Sequence, residues 1–334
     1  MLKKFFPIIG SLIVSVLFSE LMIRIFLPVI KVLPDNPRHG AYGMPDPEIG
    51  WIHKPGRHEF IRDGDDKKFT MTFDNNGARI IPGSLQAKNS AVLVGCSFTE
   101  GYFLDDSETF ASFLEKEIPD YNFINYGVGG YGTYQSLLIL KRILPKISPP
   151  PRIIIYGFIA HHIVRNVGDP NYRFLLSSLS PEGDIPMPYC KPFNKEKSEY
   201  ICVPPELFFP TAISRSFLQI VKQIGTMPYF YPRKTTLEQS KNITKDLIIK
   251  MKNESTKVGA EFIIFLASSP KEISEELFDM AKNNNISIID CQHPKQNDPE
   301  YLIPGDGHPN EKITEYWAKC FAEKLSGKYG FSSS

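Results

Sequence analysis

Ala91-Val92-Leu93-Val94-Gly95-Cys96-Ser97-Phe98-Thr99-Glu100-Gly101 is the stretch whose reading decides the fold. Four apolar residues without period-two polarity, closed by glycine, describe a strand buried on both faces. Working outward, NFINY (122–126), RIIIYGF (152–158), EFIIFLAS (261–268) and ISIID (286–290) repeat the pattern. Helical spacings fill the intervals. Asp106 or Ser107 is placed to cap a helix carrying Phe110, Phe113, Leu114 and Ile118 on one face, and Gln135–Leu144 and Leu237–Thr256 follow. Alternating strands and helices predict a three-layer α/β/α sandwich with a mainly parallel five-stranded sheet.

The flanks divide the chain further. An α/β domain is expected over 91–327, interrupted at about 168–234 by a proline- and aromatic-rich insertion. Residues 51–90 read as a small β segment, with HEFIR (58–62) and KFTMTF (68–73) as a hairpin. Residues 31–50 hold four prolines and three glycines and read as a tether. The 26 residues from Phe5 to Ile30 are apolar apart from Glu20 and Arg24, enough for one N-terminal transmembrane helix rather than a cleaved signal. Lys3 and Lys4 before it and Lys31 and Arg38 after it orient it weakly, and the remainder is placed outside the cytoplasm as a membrane-anchored domain.

Charge and cysteine content narrow the classes. Thirty-eight Lys and Arg against 37 Asp and Glu in 334 residues leave +1, too little basic excess to support nucleic-acid binding. Cys190 and Cys202 flank a polar stretch that a disulfide can close, or they stay free thiols. Cys320, at helical spacing from Ile313, Trp317 and Phe321, reads as a packed core residue without a bonded partner.

In an open parallel sheet, sites form at the carboxyl ends of the strands. There the first strand delivers Ser97 on a glycine-flanked turn, a nucleophile once a base takes its proton. Glu100 reads as a solvated loop residue. The second strand leads into Gly127-Val128-Gly129-Gly130-Tyr131-Gly132, whose amides can face an oxyanion. The spacing mimics a dinucleotide fingerprint but follows the wrong strand. Near the C-terminus, Asp306 two residues before His308 can hold Nδ1–H and leave Nε2 to serve as base.

Together these blocks resemble the SGNH/GDSL hydrolase family. G-x-S-x-x-x-G is similar to its first block, NYGVGGYGT (125–133) to its second, and DGHPN (306–310) to its closing block. The likeness implies Ser97 as nucleophile, His308 as base and Asp306 as orienting acid, with the Ser97 and Gly130 amides as oxyanion donors. It implies a flavodoxin-like sheet, no cofactor, and ester hydrolysis or O-acyl transfer on small acyl groups, such as acetyl, of carbohydrate or cell-envelope material. Two departures stand out. Cys96 replaces the namesake Asp, and His161-His162 replaces the usual Asn-Asp, so His161 is the candidate third donor. One missing donor of this kind lowers rate by about 100- to 1,000-fold, which motivates the rival reading of a weak or inactive glycan-binding module. A metal held by His161, His162, Asp306 and His308 has no supporting spacing motif, and none is expected.

Overall fold

In the computed structural model of this protein, the described residues are 2–26, 42–62, 64–83, 87–179, 186–194, 199–206 and 235–329. The core sheet consists of β5 (Asn89–Gly95), β6 (Tyr121–Gly127), β7 (Ile153–Ile159), β10 (Glu261–Ser268) and β11 (Ser287–Asp290). Their order is β11-β10-β7-β5-β6, and every neighbouring pair is parallel. These are the five apolar runs of the sequence. Successive side chains on a strand point to opposite faces, so Ala91 and Leu93 enter one core and Val92 and Val94 the other.

Helices cover both faces. On one side lie α4 (Thr133–Ile143), α7 (Leu237–Lys257) and α8 (Lys271–Asn283), presenting Leu140, Leu247, Met251 and Leu277 to Ile154, Ile264 and Leu266. On the other, α3 (Phe110–Glu117) and α9 (Glu311–Tyr329) pack Phe110, Leu114, Trp317 and Phe321 against Leu93, Ile155 and Phe265. The α3 cap differs from expectation: the Thr109 hydroxyl accepts from the Ser112 amide, while Asp105 caps a preceding 3-10 turn at Asp106–Glu108. Asp106 is drawn away to accept from the amide and hydroxyl of Thr72.

Before the sheet, β1 (Gly43–Asp46) pairs with β2 (Gly50–His53), and β3 (Gly56–Ile61) with β4 (Lys68–Phe73). The Arg79 amide donates to the Asn125 carbonyl at 2.8 Å, joining this β segment to the β6 edge of the sheet. Residues 31–41 of the expected tether lie outside the described residues. α5 (His162–Arg165) precedes the expected insertion, whose described part comprises α6 (Pro170–Leu179) and the antiparallel pair β8 (Met187–Asn194) and β9 (Glu199–Glu206), its residues 180–185, 195–198 and 207–234 lying outside the described residues as well.

Two expectations need correction. Cys320 is bonded to Cys291, just past the end of β11. Its helical spacing does place it on the packed face of α9, but Cys291 meets it there. Cys190 and Cys202, opposite each other in β8 and β9, form a second disulfide, and Cys96 is free and buried. The transmembrane helix is the other correction. The N-terminal helix α1 runs Leu2–Phe26, but among the described residues no helix is long and apolar enough to cross a membrane.

Candidate active site

Three loops at the carboxyl ends of β5, β6 and β7 meet the loop before α9. The first is the four-residue helix α2 (Ser97–Glu100), with Cys96 at its extended N-cap position. It lies across the strand ends so closely that glycines are required beneath it. A Cβ at Gly95 would stand 2.1 Å from Thr99 Oγ1, and one at Gly127 would stand 2.4 Å from the Glu100 nitrogen. Gly101 ends the turn at φ 79°, a conformation that favours glycine.

Ser97 is buried to 5% exposure, and its hydroxyl donates to His308 Nε2 at 2.9 Å across 211 residues of sequence. His308 Nδ1 in turn bonds Asp306 Oδ1. A carboxylate only accepts, so this partner places the imidazole proton on Nδ1 and leaves the Nε2 lone pair facing the serine. The loop carrying both residues is a tight turn. The Ile303 amide donates to the His308 carbonyl at 2.8 Å, the Asp306 and Gly307 amides both donate to the Ile303 carbonyl, and Gly305 and Gly307 take φ of 78° and 88°. Asn310 caps α9 by accepting from the Lys312 amide, whereas Asp306 accepts from the His308 amide. Phe98 and Tyr102 pack against the imidazole, with ring centroids 5.7 and 4.8 Å away. Burial, then the charges of Asp306 and Glu100, push the Tyr102 hydroxyl well above its ordinary value.

Gly130 turns at φ 82°, and neither its amide nor that of Ser97 donates to another backbone group among the described residues. The turn is clamped from outside: the Tyr172 hydroxyl donates to the Gly130 carbonyl, and Trp51 Nε1 donates to that of Gly129 at 3.0 Å. His161 follows β7 at the rim. Desolvation, then the influence of Arg165 and His308, holds its ring below the usual imidazole range, which favours the neutral form with one N–H to donate. His162 points the other way, fully buried, with Nδ1 2.7 Å from the Tyr156 hydroxyl. The two adjacent histidines therefore diverge. Among the described residues no group of three His, Cys, Asp or Glu is disposed to hold a metal ion.

The reading of Glu100 as a solvated loop residue is overturned. It is fully buried and meets His53 Nε2 at 3.0 Å, while His53 Nδ1 lies 3.0 Å from the Gly77 carbonyl. A carbonyl cannot donate, so Nδ1 carries a proton, and the second contact shares one more proton between imidazole and carboxyl. Arg79, 3% exposed, donates through Nε to Asp106 at 3.0 Å and through Nη1 to the Glu100 and Gly101 carbonyls at 2.9 and 2.5 Å. Its Nη2 reaches the Leu104 carbonyl at 2.5 Å. Asn125 Nδ2 donates to the Thr99 carbonyl at 2.8 Å. None of these supports was found in the sequence. The one visible signal was an arginine in the apolar run Ala78-Arg79-Ile80-Ile81, since a charge there is buried and hence paired.

Comparison with known proteins gave no matching family model and no matching curated protein. Similar solved structures include lipolytic proteins of the G-D-S-L family and esterases. One is a lipolytic G-D-S-L family member from Veillonella parvula, 15% identical over 71% of this chain and 98% of its own, with a TM-score of 0.43. A psychrotrophic esterase, EstA, from Pseudoalteromonas sp. is 10% identical over 73% and 100%, with a TM-score of 0.44. A putative lipolytic protein of the same type from Desulfitobacterium hafniense is 12% identical over 71% and 99%, with a TM-score of 0.41.

Proposed function

We propose that this chain is a serine-dependent ester hydrolase or O-acyltransferase acting on small O-acyl groups, acetyl among them, of carbohydrate or cell-envelope material. The observation that carries the reading is the continuous hydrogen-bonded chain from Ser97 Oγ through His308 to Asp306. In this mechanism Ser97 Oγ attacks the ester carbonyl carbon while His308 Nε2 takes its proton. Asp306 holds the Nδ1 proton and stabilises the imidazolium. The amides of Ser97 and Gly130, with the His161 ring N–H as third donor, receive the charge developing on the carbonyl oxygen. His308 then protonates the departing alkoxide as the ester C–O bond breaks. Water, activated by the same imidazole, releases the acid from the acyl-enzyme; an acceptor hydroxyl in its place forms a new ester.

We place the catalytic domain outside the cytoplasm and anchored through α1. Two disulfides suit an oxidising compartment, and Leu12, Val14, Val16, Leu17, Phe18 and Leu21 on α1 are all exposed apolar side chains. No nucleic-acid partner is invoked. The test is covalent labelling by a fluorophosphonate probe together with turnover of 4-nitrophenyl acetate. Wild-type protein is expected to label at Ser97 and to turn over the ester, and Ser97→Ala to lose both. Labelling that persists in Ser97→Ala, or wild-type protein that neither labels nor hydrolyses, overturns the reading.

A further inference from the structure

Among the arginines of the described residues, Arg57, Arg62, Arg79, Arg142 and Arg173 each have a carboxylate within ion-pair distance, whereas Arg152, without one, is exposed to solvent. Arg165 is half-buried on α5, directly past the carboxyl end of β7, and has none there. It is nonetheless fixed in place. Nη1 donates to the Tyr131 carbonyl at 3.0 Å, and the guanidinium lies over the Tyr172 ring, 5.1 Å from its centroid. Both contacts tie it to the glycine loop, because Tyr172 donates to the Gly130 carbonyl. Its Nε is buried and has no acceptor among the described residues.

Position relates this cation to the reacting serine. The Arg165 amide donates to the His161 carbonyl at 3.2 Å, one turn past the carboxyl end of β7. The packing against the glycine loop is close, for a Cβ at Gly130 would stand 2.9 Å from the Tyr172 hydroxyl and one at Gly132 3.0 Å from Arg165 Cβ. A guanidinium has five N–H donors, and stacking on an aromatic face leaves the edge of the fork free to meet an oxyanion. Arg79 and Arg142, which tie elements of the fold together, each take a carboxylate partner. Arg165 is held by groups that leave its charge uncompensated.

We infer that Arg165 is the seat for an anionic group, a carboxylate or phosphate carried by the ester substrate, at the rim of the Ser97–His308 site. The inference rests on the ester-hydrolase reading and narrows its substrate class. Charge-assisted contacts of this kind correspond to about a ten- to hundredfold preference.

Two pairs of esters locate the anion: mono-4-nitrophenyl succinate against 4-nitrophenyl acetate tests the acyl side, and 4-acetoxybenzoate against its methyl ester tests the alcohol side. In at least one pair, wild-type protein is expected to favour the anionic ester by about tenfold or more in kcat/KM. That ratio should fall to about one in Arg165→Gln and be partly kept in Arg165→Lys. No preference in either pair, or equal losses on anionic and neutral esters in Arg165→Gln, overturns the inference. An independent readout serves if no ester turns over. Trp51 bonds the glycine loop while Trp317 is fully buried, so indole fluorescence reports on this rim. A change saturating with inorganic phosphate or succinate in wild-type protein and lost in Arg165→Gln upholds the anion seat even where the hydrolase reading fails. An identical titration in both proteins, or none in wild type, removes it.

Discussion

The two sides of the site are built differently. Ser97 rests on a wall of buried polar groups: Arg79 beneath four carbonyls, the His53–Glu100 pair, and Asn125 tying the α2 turn to β6. His308 stands in a short glycine-bearing turn, with about a quarter of the His308 and Asp306 side chains exposed, held by local backbone bonds. A covalent ring supplements them, since both residues fall between Cys291 and Cys320. Under the proposed mechanism, the contrast gives rigidity to the oxygen that attacks and latitude to the imidazole that moves a proton from serine to leaving group. It also predicts where each side fails first.

Substitution on the base side should leave the fold intact and remove the chemistry. Asp306→Asn keeps the turn but offers Nδ1 an amide, which can stabilise the wrong imidazole tautomer, so kcat is expected to fall by about 10,000-fold. Fluorophosphonate labelling rate and 4-nitrophenyl acetate turnover measure it, with urea melts as the check on folding. A loss of less than tenfold would separate Asp306 from the chemistry and reduce the base side to His308 alone.

On the nucleophile side the order reverses, with stability failing first. Arg79→Met strands buried Asp106 and four carbonyls, and removing one partner of a buried pair destabilises by about 3–5 kcal/mol. Asp106 keeps its two Thr72 bonds, so Arg79→Met combined with Asp106→Asn should recover part of the loss. Urea denaturation of the two variants decides. A single variant within 1 kcal/mol of wild type would mean that the wall is not what holds α2.

These two sides were not equally legible. The five strands, the serine turn, the glycine loop and the Asp-x-His turn are local patterns, and a strand or a two-residue spacing can be read from neighbouring positions. His53 and Glu100 are 47 residues apart, and no periodicity relates them, because the hairpins fold back over the strand ends. Cys320 shows the same limit from another direction. Its spacing from Trp317 and Phe321 correctly puts it on the packed face of α9, but nothing along the chain brings Cys291 to that face. Only the β11–α9 packing does.

The disulfides offer a sharper version of the contrast. Each closes a loop, of 29 residues at Cys291–Cys320 and 12 at Cys190–Cys202, and by loop-closure entropy each contributes roughly 3 kcal/mol. Only the first encloses Asp306 and His308. The pair Cys291→Ala and Cys320→Ala is therefore expected to lower both melting temperature and kcat/KM, and the pair Cys190→Ala and Cys202→Ala to lower chiefly the melting temperature. Equal activity losses in the two would show that the ring does not position the base.

The smallest effect concerns acid. His162 is fully buried beneath the third loop, and desolvation, followed by the influence of Arg165 and His161, holds its ring well below the usual imidazole range. The unfolded chain accepts a proton near pH 6.5 that the folded chain cannot, so stability from this group is complete above that pH and is lost as pH falls toward the folded value. The limiting slope is about 1.4 kcal/mol per pH unit. Wild-type protein should thus lose about 1 kcal/mol more than His162→Gln between pH 6.5 and 5.5, read from paired urea melts at each pH. His161, neutral for the same reason but at the rim, remains in both proteins and cancels in the difference. Parallel pH profiles would mean that the Tyr156–His162 contact accommodates an imidazolium, and that the wall behind the nucleophile tolerates charge as readily as the loop that carries the base.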